Sequence, residues 1–67
     1  MMRMEQLEII DYVINRGGNL LDSVLELIGG YESISQKIND NFYVLTYEEQ
    51  LEVVRVIMLR GLGRKEE

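Results

Sequence analysis

Apolar positions recur along this chain at helical spacing in three stretches and weakly in a fourth. From about Arg3 to Arg16, Leu7, Ile10 and Ile14 share a face with Met4 at its edge, and Ile9 and Val13 form a stripe beside it. At 100° per residue these stripes span an arc of about 160°. Glu5, Glu8, Asp11 and Asn15 occupy the other side, and Arg16 followed by Gly17 suits a helix end. The second stretch opens at Asn19, a good helix cap. Leu20, Leu21, Val24, Leu25, Leu27 and Ile28 are expected to face one way, until Gly29-Gly30 ends the run.

The third stretch is the weak one. Tyr31, Ile34 and Ile38 are spaced for a short helix ending near Ile38. Asn39-Asp40-Asn41 reads as a turn. Phe42-Tyr43-Val44-Leu45 has strand composition but no partner strand, so an extended, buried connection is expected there.

The fourth stretch carries the plainest signal. Thr46-Tyr47-Glu48-Glu49 has the form of a capping box, in which Thr46 caps and Glu49 reaches back. Tyr47, Leu51, Val54 and Met58 then make one stripe and Val53 and Ile57 a second. Val56 and Leu59 fall outside both, so the helix is apolar nearly all round. Gly61 reads as its cap, with residues 63–67 a frayed charged tail. The expected fold is therefore all-α. It is a compact bundle of three to four short helices in a single domain over residues 1–62, and its surplus apolar surface leads to the expectation of a homodimer.

Composition sharpens this picture. The chain has 67 residues and no Cys or His, so disulfides, thiolate metal sites and imidazole ligands are unavailable to it. Apolar residues make up 46% of the chain, and none is Ala. A chain this short needs such large side chains, or a second copy, to offset the entropy of folding. Net charge is −5, which disfavours generic nucleic-acid binding. No apolar run approaches the ~20 residues that cross a bilayer, and no export signal is visible, so a cytoplasmic location is expected.

Candidate chemistry is sparse. Ser23, Ser33 and Ser35 have no His to act as a base, and the Glu48/Glu52 pair sits on a charged helix face. No enzyme, cofactor or metal is expected. The apolar excess of the fourth helix points instead to protein contact. Val53, Val56, Ile57 and Leu59 would form the interface, with Arg55 and Arg60 at its rim. The expected function is a small regulatory, adaptor or inhibitor protein that binds itself or a larger protein. The alternative is a helix-turn-helix regulator that sets Ser33, Ser35, Gln36 and Lys37 against DNA.

Overall fold

The computed structural model describes residues 2–64 and contains four helices: α1 (Met4–Arg16), α2 (Leu20–Gly29), α3 (Gln36–Tyr43) and α4 (Tyr47–Arg64). No strand occurs among the described residues. The all-α bundle expected from periodicity is the fold observed. Its central element is α1, which packs on each of the other three helices.

Local chemistry sets each boundary. Gly17 and Gly18 both adopt φ of +79°, a region that side-chain-bearing residues rarely enter, so this pair can turn the chain sharply between α1 and α2. Asn19 then caps α2 as expected, its Oδ1 accepting from the N–H of Leu21 (2.9 Å) and of Asp22 (3.3 Å). At the far end Gly30 is left-handed. Its N–H donates to Leu27 O (3.3 Å) and that of Tyr31 to Glu26 O (3.1 Å), the double closure of a Schellman motif.

The third helix lies five residues later than its spacing suggested. Residues 31–35 form a looped connection, and Asn39-Asp40-Asn41, expected as a turn, lies within α3. Asn and Asp break helices when their side chains bond nearby backbone in place of the helical pattern. Here each side chain is engaged elsewhere. Asn39 is buried and its Nδ2 donates to Tyr31 O (3.3 Å), pinning the preceding loop. Asp40 accepts from Gln36 Nε2 (2.9 Å), and Asn41 Nδ2 donates to Glu8 on α1 (2.8 Å).

The extended connection expected at Phe42–Leu45 is likewise absent. Phe42 and Tyr43 finish α3, and Val44 and Leu45 form the short turn after it. Phe42 and Leu45 are buried against the core as expected, whereas Tyr43 and Val44, expected to be buried with them, are exposed. Gln50 of α4 donates to Phe42 O (2.9 Å) and holds the two elements together.

The capping box of α4 forms as its sequence predicts. Thr46 N–H donates to Glu49 Oε1 (2.9 Å) and Glu49 N–H to Thr46 Oγ1 (3.2 Å). Its far end differs, since α4 does not stop at Gly61 but runs on to Arg64. Gly61 acts as a point of close approach instead. A Cβ there would lie 3.2 Å from Leu20 Cδ1, so the missing side chain lets α2 press its first turn against α4. The rest of the tail, residues 65–67, lies outside the described residues.

Ile9, Ile10 and Val13 of α1 supply the centre of the core, with Leu20, Val24 and Leu27 from α2 and Val53 and Ile57 from α4. Leu7 and Met4, expected on the inner face of α1, are exposed. Gln6 takes the inward position in their place and is almost fully buried. Its Oε1 accepts from Arg3 N–H (2.7 Å), and its Nε2 donates to Glu49 O (3.1 Å) and Glu52 Oε1 (3.0 Å). A buried amide is tolerable only when its polar atoms are bonded, and all three contacts are made.

Candidate functional site

The two apolar stripes of α4 have separate fates. Val53 and Ile57 are fully buried in the monomer core. They therefore have no surface left to offer a partner, contrary to their expected place in an interface. Nearly perpendicular to them on the helix, Tyr47 (73% exposed), Leu51 (50%) and Met58 (38%) remain open to solvent, with Val54 half-buried between them. Leu62 extends this stripe and is 61% exposed. Of the other candidates, Val56 is half-buried against the core, while Leu59, Arg55 and Arg60 are exposed.

A second open ridge lies on α2. Its six large apolar side chains do not share one face, because only Leu20, Val24 and Leu27 reach the core. Leu21, Leu25 and Ile28 recur at helical spacing on the outside, each at least half exposed. The two ridges meet where Leu20 and Leu21 of α2 face Met58 and Leu62 of α4 across an apolar groove floored by Gly61. The contact allowed by Gly61 is thus what brings the two ridges alongside each other.

Beside the α4 ridge lies a charged border. Glu48, Glu49, Glu52 and Arg55 surround Leu51 in a shallow depression. Glu49 is held by the capping box and by Arg3, whose Nη1 stands 3.0 Å from its Oε1. The Thr46 N–H favours its charged form most; desolvation opposes this, and the Arg3 guanidinium adds to the effect of Thr46, so the carboxyl lies below its ordinary value. Glu48 and Arg55 form no ion pair with any other described residue.

The residues considered for DNA contact are all exposed; the Ser33 and Gln36 side chains bond within the fold, while Ser35 is tied through its backbone N–H. Ser33 Oγ donates to Glu26 Oε1 (3.0 Å), Ser35 N–H donates to the Tyr12 hydroxyl (3.1 Å), and Gln36 bonds Asp40. Lys37 Nζ stands 4.0 Å from Glu8 Oε1. Glu26 also pairs with Arg16 (3.1 Å), whose guanidinium lies over the Tyr12 ring at 5.9 Å. Tyr12, the one large ring on the polar side of α1, therefore ties the 31–35 loop to α1.

No helix among the described residues is long and apolar enough to cross a membrane. The chain matches no protein-family model, no curated protein and no solved structure.

Proposed function

We propose that this chain is a small regulatory or adaptor protein that acts by protein–protein contact and associates with itself through the ridges of α2 and α4. The observation that carries the reading is the paired ridge. Seven large apolar side chains (Leu21, Leu25, Ile28, Tyr47, Leu51, Met58, Leu62) stand open on two adjacent helices while a separate set fills the core. Contiguous apolar surface of this kind marks interaction sites on soluble domains. Polar borders at Glu48, Glu52 and Arg55 suit the rim of such a contact.

The DNA-binding alternative has less to rest on. A recognition helix needs cations aimed at phosphates. The one lysine on α3 lies beside Glu8, and α3 packs chiefly on α1 rather than projecting from the fold.

Sedimentation equilibrium from micromolar to millimolar chain concentration tests the proposal. A reversible dimer is expected. A monomer throughout that range would overturn self-association, and salt-sensitive binding to random duplex DNA would return the alternative to the front.

A further inference from the structure

Tyr47, Leu51, Val54 and Met58 follow the alternating four- and three-residue steps of a coiled-coil seam. One flank of that seam is unavailable to a partner. Gln50 bonds Phe42 O and Ile57 is fully buried, so both belong to the monomer. The other flank carries Glu48 and Arg55, one heptad apart, exposed and without an ion-pair partner among the described residues.

We infer that the occupant of this face is a second copy of the same chain, its α4 antiparallel to the first, with Glu48 of each copy paired to Arg55 of the other. This arrangement rests on the protein-contact reading above and specifies it. The geometry of the seam selects the direction. In a parallel pair the charged flank of one helix meets the opposite flank of its mate, here Gln50 and Ile57, and both charges go unanswered. In an antiparallel pair the same flank meets itself across the two-fold axis, so opposite charges one heptad apart answer each other.

Charge also selects the register. When Leu51 of one copy packs on Val54 of the other, and Tyr47 on Met58, Glu48 falls beside Arg55 twice over. Sliding by one heptad in one direction sets Arg55 against Arg55, and in the other direction Glu48 against Glu48. Both slips place like charges in contact, which is how partner register is commonly enforced. Leu21 of α2 borders the seam through the groove at Met58 and Leu62, adding apolar surface to the same contact.

The test uses Glu48→Arg and Arg55→Glu, each alone and then mixed one to one. Each substitution alone makes both cross-pairs repulsive. The expected result is a dimer dissociation constant raised about tenfold or more for either variant, since exposed pairs contribute modestly and two are reversed. The mixture restores both attractions in a heterodimer, so association near the wild-type level is expected, with the heterodimer identified by native mass spectrometry. Circular dichroism checks that both variants fold. A wild-type dimer whose variants associate no better when mixed would overturn the antiparallel register and leave the protein-contact reading standing. A wild-type monomer at every concentration would overturn the antiparallel pairing together with the self-association on which it rests.

Discussion

Replacing Gln6 by Ala should be the most damaging single change at a polar position in this fold. The side chain is 1% exposed and makes three hydrogen bonds, one to the Arg3 N–H at the start of α1 and two that reach the first turns of α4. Two of these are to neutral backbone groups, worth about 1 kcal/mol each, and the third goes to the Glu52 carboxylate, where about 1.5–3 kcal/mol is usual. Rehydration of the exposed Glu52 returns part of this, and the vacated volume adds a cavity cost. The net expectation is a loss of about 3 kcal/mol. A 67-residue domain has roughly 3–10 kcal/mol in total, so the variant would sit near the edge of stability. The melting temperature should fall by about 12–24 °C. Urea unfolding followed by circular dichroism, at a concentration below that of dimer formation, reads the difference directly. Gln6→Met keeps most of the volume and should recover the packing part only. A loss under about 1 kcal/mol for Gln6→Ala, or full recovery with Met, would refute the claim that these hydrogen bonds hold α1 to α4.

Other consequences are open to measurement. Asn19→Ala removes the acceptor for two N–H groups of α2 and should cost about 1 kcal/mol by urea unfolding, while Asn19→Ser should cost much less. Gly30→Ala should destabilise by at least about 1 kcal/mol, because its backbone is left-handed and a Cβ would meet the Tyr43 hydroxyl. The depressed carboxyl of Glu49 predicts a pH effect of defined sign: its contribution is complete above the ordinary carboxylate value and is lost as pH falls through the lower folded value. Stability should therefore decline on acidification, and Glu49→Gln should flatten that decline in melting curves taken across the acid range.

The sequence made helices legible wherever a cap and a long period coincided. Asn19 and the Thr46–Glu49 box both form, and the helices that follow them begin where those residues predict. It misled where a local preference was overruled by contacts distant in the chain. Asn39 and Asn41 read as turn residues because isolated Asn side chains compete with the helix backbone, yet here one pins a loop and the other bonds Glu8. The burial of Gln6 was illegible for a similar reason, since its bonding groups on α4 lie more than forty residues away.

The candidate site was half legible. Periodicity resolved the two stripes of α4 but not which faced inward, because both are aliphatic and only the position of α1 and α2 decides it. Val53 and Ile57, expected at an interface, are thus the core pair. Nor does composition reveal that Leu21, Leu25 and Ile28 turn outward, since an α2 with apolar side chains on two faces leaves its orientation to the rest of the bundle. Gly61 gave the false signal of a helix end when its role is to admit Leu20.

In the proposed dimer one stripe of α4 holds the monomer together while the other holds a partner. A single comparison of Leu51→Glu with Ile57→Ala tests it most directly, by recording urea stability at low concentration and mass at high concentration for each. Leu51→Glu is expected to keep its helicity and its urea midpoint while sedimenting as a monomer. Ile57→Ala is expected to lose about 2–5 kcal/mol of stability from a fully buried position. If Leu51→Glu instead unfolds as readily as Ile57→Ala, or still dimerises like the wild type, the division of labour between the two stripes is contradicted.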